Sequence, residues 1–177
     1  MEEAKAVERR YMENPLLAFS FYTQLQTDVT RRLGQDVLAA LDEAIGREEV
    51  DATTLNRAYG QFWLWVLAAY EVTRTMSQAK RCFREAIAEK VVAFKRRIAG
   101  IRIPFAKQEY PGGGDVAIGA EASIAGIDSK KRDMTFVVRG VAFSARSLMT
   151  EFDALIRGIE RGDVLHRHGW RGKDDVT

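Results

Sequence analysis

Phe62-Trp63-Leu64-Trp65-Val66-Leu67-Ala68-Ala69-Tyr70 is an unbroken apolar run, followed at once by Glu71-Val72-Thr73-Arg74. A helix that is apolar on every side has to be enclosed by other elements. The run is about half as long as a bilayer span requires. It therefore reads as the centre of a water-soluble bundle. Asp51 or Thr53 caps this helix in the reading, which places it at roughly 53–75. Glu71 and Arg74 stand three residues apart, one helical turn, where the apolar run ends.

Working toward the N-terminus, the residues ahead of this helix spell a second one. From Leu17 to Ile45 apolar side chains recur almost every four positions: Leu17, Phe21, Leu25, Val29, Leu33, Val37, Leu41 and Ile45. This predicts a long amphipathic helix with that line buried. A strict step of four drifts around the axis, so the helix has to curve or break, and Gly34 is the expected break. Residues 3–13 are charged and rich in helix formers, and Asn14-Pro15 stops them.

Toward the C-terminus, Ser77 is the expected cap of a helix with the stripe Phe83, Ile87, Val91, Phe94 and Ile98. Lys95, Arg96 and Arg97 suit its last turn, and Gly100 is its terminator. Ile101-Arg102-Ile103-Pro104-Phe105 then alternates with period two. Pro111–Gly114 is loop, Val116–Gly119 and Ser123–Ile127 are short and apolar, and Thr135–Val138 is the clearest strand. Residues 101–143 thus read as a β-insert with a hairpin around Lys130 and Lys131. A last helix carries Leu148, Phe152, Leu155, Ile156 and Ile159, is capped by Ser144 or Ser147, and ends at Gly162. Residues 163–177 read as a polar tail. The expected architecture is mainly α, a single domain over 1–177: four or five bundled helices with a small β-hairpin insert between the last two long helices.

Composition agrees with one globular domain: 177 residues, 46% hydrophobic, 29% charged and only three prolines. Such a chain buries enough apolar surface to offset its ordering entropy. A net charge of +2 argues for no particular polyanion. The single cysteine, Cys82, excludes an internal disulfide framework and a multi-thiolate metal site within one chain. Next to Phe83 on an amphipathic helix, it reads as a buried thiol. The first residues lack a signal-peptide pattern, so a cytoplasmic location is expected. No phosphate-binding loop, zinc motif or nucleophile elbow is present, and no cofactor or metal is expected.

Three groups of residues carry chemistry. Glu71 and Arg74, near Tyr70, form a polar centre for a ligand or a salt bridge that orients helices. Arg102 and Lys107, with Glu109, either bind an anion beside that pair or are solvated charges on an edge strand. The only histidines lie in Arg161-Gly-Asp-Val-Leu-His166-Arg-His168. Histidine moves protons near neutral pH and a neighbouring arginine stabilises phosphate, a pairing suited to RNA transesterification. The competing reading is a solvated tail. Lys130, Lys131 and Arg132 form a small basic tip that reads as a solvated turn.

The spacing Arg161-x4-His166 in a mainly helical chain of this size resembles the HEPN superfamily. Its members are helical bundles, often dimeric, and many are metal-independent endoribonucleases with an Arg-x4–6-His motif at the dimer interface. The resemblance implies that Arg161 contacts phosphate and His166 transfers protons. The run Ala69-Tyr70-Glu71-Val72-Thr73-Arg74 is similar to a helix of HEPN-related proteins whose motif is degraded.

Three functions follow in order. The first is a helical-bundle interaction protein that associates with itself as a homodimer or with a partner chain, because its apolar surface exceeds what a small bundle needs. The second is a HEPN-like endoribonuclease using Arg161 and His166. The third is a small-ligand or anion site lined by Glu71, Arg74, Arg102 and Lys107.

Overall fold

Three other helices and a three-stranded sheet pack around the helix that carries the Phe62–Tyr70 run in the computed structural model, which describes residues 2–46, 48–107 and 122–169. The fold is mainly α. Among the described residues the helices are α1 (Glu2–Glu13), α2 (Phe21–Ala44), α3 (Ala52–Gln78), α4 (Glu85–Lys107) and α5 (Ala145–Arg157). The strands β1 (Gly126–Asp128), β2 (Asp133–Val138) and β3 (Val141–Ser144) lie between α4 and α5 in antiparallel order β1-β2-β3. No helix of the described residues is long and apolar enough to cross a membrane.

Helix α2 is continuous through Gly34, and its buried face is not the predicted one. The buried line is Thr23, Thr27, Thr30, Gly34, Val37, Leu41 and Ala44, spaced four and three alternately. Phe21, Leu25 and Val29 of the predicted line are exposed, whereas Val37, Leu41 and Ile45 are buried. The cause is geometric. Each step of four overshoots a 3.6-residue turn by about 40°, so four steps from Phe21 reach nearly the opposite side of the helix by Val37. Gly34 does not break α2 but lets it approach α3. A Cβ there would lie 3.0 Å from Nε1 of Trp65.

Helix α3 runs antiparallel to α2, as the Arg57–Glu43 ion pair (3.0 Å) and the Gly34–Trp65 contact require. Asp51 caps it, accepting from the Thr53 amide at 2.9 Å and the Thr54 hydroxyl at 2.6 Å. The Thr54 hydroxyl, then the Thr53 amide, hold the Asp51 carboxyl below the usual carboxylate range. A carboxyl depressed on folding stabilises fully above its unfolded pKa of about 3.9, and that contribution is lost as pH falls through the folded value. Thr54→Ala is therefore expected to raise the Asp51 titration midpoint, read by carboxyl NMR, and to start acid unfolding at higher pH. An unchanged midpoint would remove the hydroxyl as the cause.

The apolar run itself is less enclosed than its composition predicts. Phe62, Trp65, Val66 and Ala69 are buried, but Trp63 is 38% and Leu64 51% exposed. Trp63 stays amphipathic, donating its Nε1 proton to the carbonyl of Phe105 at 2.9 Å.

Two boundaries after α3 also differ from the sequence reading. Ser77 belongs to α3; a 3-10 turn at Lys80–Cys82 intervenes, and α4 begins at Glu85. Gly100 does not end α4, and 101–107 is helix rather than strand despite Pro104 inside it. Ile98, Ile101 and Phe105 are all buried, at helical spacing of three and four. That burial outweighs the hydrogen bond that Pro104 removes. Gly100 is a notch instead: a Cβ there would lie 2.9 Å from Cζ of Phe143 on β3.

The hairpin around Lys130 and Lys131 stands where the sequence places it, joining β1 to β2. Asp128 shapes the turn by accepting from the amides of Lys130 and Lys131, both at 3.0 Å. A second hairpin joins β2 to β3 through Arg139-Gly140, with φ of 48° and 77°. Two positive φ values match the twist of a two-residue turn and explain the glycine. Val116–Gly119, the 111–114 loop and Glu109 lie outside the described residues.

The inward face of β2 closes the bundle. Met134, Phe136 and Val138 are buried. Phe136 stacks on Phe62 with centroids 5.2 Å apart and meets Phe105 edge-on at 5.3 Å. Ser144 caps α5, accepting from the Ser147 amide at 2.9 Å. Helix α5 buries Leu148, Met149, Phe152 and Ile156, and Gly158 rather than Gly162 caps its end.

The segment after α5 is not simply a polar tail. Residues 161–163 form a 3-10 turn, Val164 is buried, and Phe83 and Val164 form an antiparallel bridge. The Leu165 amide donates to the Cys82 carbonyl at 2.8 Å, and the His168 amide to the Phe19 carbonyl at 2.7 Å. Residues 163–168 are thus a strap over Phe19, Cys82 and Phe83.

Candidate functional site

The structure brings Glu71, Arg74 and Arg102 together and leaves Lys107 apart. Arg74 grips one carboxylate oxygen of Glu71 through Nε at 2.7 Å and Nη2 at 2.6 Å. Arg102 comes from α4 to 3.9 Å of the other oxygen. Its guanidinium lies over the Tyr70 ring, 4.8 Å from the centroid, a cation–π geometry. Lys107 lies five residues beyond Arg102, about 7.5 Å further along α4. It is level with the Trp63 end of α3, because Trp63 meets Phe105.

Glu71 and Arg74 are less buried than their position after the apolar run predicts: their side chains are 44% and 41% exposed. Exposed ion pairs of this kind contribute about 0–1 kcal/mol. Only Arg102 crosses between helices, reaching Glu71 near the C-terminal end of α3 from α4.

Arg161 sits in the 3-10 turn that precedes the strap and His166 on the strap itself, neither on an α-helix. Arg161 donates from Nη1 to the Val164 carbonyl at 3.0 Å, closing its own 3-10 turn. His166 is half-buried, with its amide 3.4 Å from the Cys82 carbonyl. The His168 ring packs on Phe19 with centroids 5.1 Å apart. Burial pushes the Cys82 thiol up, away from the reactive thiolate form. Among the described residues, no group of three or more His, Cys, Asp or Glu side chains is placed to hold a metal ion.

The most unusual surface is one whose Phe21, Leu25 and Val29 the sequence line assigned to the core. Phe21, Tyr22, Leu25 and Val29 on α2 are 57%, 74%, 49% and 55% exposed. Opposite them, α2 turns threonines inward. Their hydroxyls bond back along their own helices: Thr27 donates to the Thr23 carbonyl at 2.6 Å and Thr30 to the Gln26 carbonyl at 2.7 Å. Thr73 on α3 does the same to the Ala69 carbonyl at 2.8 Å. A threonine so satisfied offers only its methyl group to the helix interface, so α2 and α3 pack closely without needing the larger apolar residues.

A cavity of about 290 Å³ opens beside this face, lined by Leu25, Gln26, Val29, Thr30, Ala68 and Glu71. Of the polar cluster, Glu71 borders this cavity. A signal for the inversion lies in the sequence: Thr23, Thr27, Thr30 and Gly34 form a small-residue line at heptad spacing, parallel to the apolar one.

The chain matches no protein-family model, no curated protein and no solved structure.

Proposed function

We propose that this protein is a non-enzymatic association module that pairs with a second copy of itself through the outer face of α2 and α3. One observation carries the reading: α2 exposes Phe21, Tyr22, Leu25 and Val29 while burying Thr23, Thr27 and Thr30. Fold stability alone favours the opposite arrangement. A contiguous apolar patch kept in water marks an interaction surface. Departures from the pattern that stability favours concentrate at functional sites.

The polar clusters supply no competing site of equal weight. Glu71 is already gripped by Arg74, and the cavity beside it is lined mainly by aliphatic carbon. Arg161 is held by its own main chain.

The test is the mass in solution. At micromolar concentration the wild-type chain is expected to show twice its sequence mass by light scattering. Replacing Leu25 and Val29 with glutamate is expected to give the single-chain mass. Because both residues face water in the single chain, each replacement should change its stability by no more than about 0.5 kcal/mol. A wild-type chain of single mass at these concentrations overturns the proposal.

A further inference from the structure

Trp65 is 1% exposed, yet its indole N–H finds no acceptor among the described residues. Trp63, two positions away and far more exposed, donates its own to the Phe105 carbonyl. Buried donors in folded proteins are nearly always paired, so an orphan calls for a partner from outside the chain. The space it faces is open. A Cβ on Gly34 would lie 3.0 Å from Nε1 of Trp65, 3.4 Å from its Cδ1 and 3.9 Å from Cγ of Met149. The absent Cβ leaves a gap directly in front of the N–H.

That gap belongs to a cavity of about 220 Å³ between α2 and α5, with Trp65 of α3 at its base. Leu38, Met149 and Phe152 make its walls apolar. The Phe152 ring meets Trp65 edge-on with centroids 5.8 Å apart. Gln35 and Thr150 are exposed and mark the mouth. Arg31 and Asp153 complete the lining. Arg31 donates from Nε to Asp153 at 2.8 Å, and among the described residues its two terminal nitrogens have no acceptor. The other Asp153 oxygen is held by Arg157 at 2.6 Å. Two guanidinium groups against one carboxylate give this side a net positive charge.

The features select a ligand. The indole needs an acceptor oxygen, Arg31 favours an anion, and the walls favour a ring. A dry cavity of about 150 Å³ holds benzene, so the larger space here admits a ring bearing a carboxylate. Water is a poorer match. An ordered water takes two to four polar partners, and the side chains around the gap, Trp65 and Met149, offer one N–H. We propose that this cavity binds a small aryl carboxylate. One of its oxygens accepts from Nε1 of Trp65, the other pairs with Arg31, and its ring lies against Met149 and Phe152. The site is separate from the self-association face, since Leu25 stands about 180° around α2 from Gly34.

The experiment uses the full chain, labelled with nitrogen-15, and benzoate as the probe. Trp65→Phe removes one indole cross-peak and so assigns it. In the wild type that peak is expected to move downfield as benzoate is added, with a Kd of about 1 mM or below, as a ligand of this size allows. Acetate lacks the ring and benzyl alcohol lacks the charge, so each should bind at least about tenfold more weakly. Arg31→Gln should weaken benzoate about tenfold, the effect of losing one charge-assisted hydrogen bond. Gly34→Ala puts a methyl group in front of the N–H and should abolish the shift while its circular dichroism stays that of the wild type. Thr150→Phe, at the exposed mouth, gives the same closure if alanine at 34 disturbs the fold. A Trp65 peak unmoved at about 10 mM benzoate overturns the proposal. Acetate or benzyl alcohol binding as tightly as benzoate overturns the ligand class. Benzoate binding that is unchanged in Arg31→Gln and in the closed variant places it elsewhere and overturns the site.

Discussion

Replacing Phe136 with alanine is expected to lower the unfolding free energy by about 3–5 kcal/mol, the range for truncating a fully buried phenylalanine. Phe136 is 0% exposed and sits where three elements converge. It stacks on Phe62 of α3, meets Phe105 of α4 edge-on and lies 6.2 Å from the Tyr59 ring. These rings belong to two helices, α3 and α4, that are held by their own contacts, so they cannot easily collapse into the space left behind. The loss should lie near the top of the range, because ring–ring geometry is lost with the buried area. Phe136→Leu retains part of the volume and should lose less. Urea unfolding followed by tryptophan fluorescence measures both variants. A loss under about 1 kcal/mol for alanine would mean that the hairpin is not seated in the bundle.

Asp133→Ala is expected to cost about 2–3 kcal/mol, because it strands two half-buried donors together. The Asp133 carboxyl is 3% exposed. One oxygen accepts from the Arg146 amide at 2.9 Å, and the other accepts a short hydrogen bond from the Ser144 hydroxyl. Ser144 in turn caps α5. Asp133 therefore ties the first residue of β2 to the first turn of the helix that follows the sheet. Arg146 adds a second tie through Asp42 at 2.6 Å and the Arg132 carbonyl at 2.9 Å. Asp133→Asn keeps one acceptor and should lose less than alanine does. Hydrogen exchange gives a local readout: the Arg146 amide should lose protection in the alanine variant at temperatures where the rest of α5 keeps it. Unchanged protection there would overturn the assignment.

The mainly helical bundle and the hairpin near Lys130 were legible because each has a strong local signal. Stripes at helical spacing marked α4 and α5, the unbroken apolar run marked α3, and a charged turn ahead of Thr135–Val138 marked the sheet. The errors share a physical origin. Ile101–Phe105 carries apolar residues at both strand and helix spacing, and only tertiary burial of Ile98, Ile101 and Phe105 decides between them. The α2 line failed because hydrophobicity ranks leucine above threonine, whereas a threonine that has satisfied its hydroxyl within the helix packs as a small apolar residue. Of the polar groups, Glu71, Arg74 and Arg102 were brought together as the sequence allows. Lys107 stands about 140° around α4 from Arg102, so the helix turns it away from them. Asp133 carried no recognisable signal, since its partners, the Ser144 hydroxyl and the Arg146 amide, lie at a helix start eleven and thirteen residues away.

The strap over Phe19 and Cys82 bears on the order in which the molecule assembles. Its bonds join residue 168 to residue 19 and residue 165 to residue 82, among the longest sequence separations in the structure. Contacts of this kind form late, because the chain between them has to be ordered first. During synthesis α2, α3 and α4 leave the ribosome before residues 163–168 exist, so Phe19 and Phe83 wait uncovered on the nascent chain. The strap closes over them last, next to the end of α2 that carries Phe21 and Tyr22. A nascent chain therefore presents a larger apolar surface at that end than the finished protein does, and chaperone contact or premature pairing between neighbouring nascent chains would concentrate there.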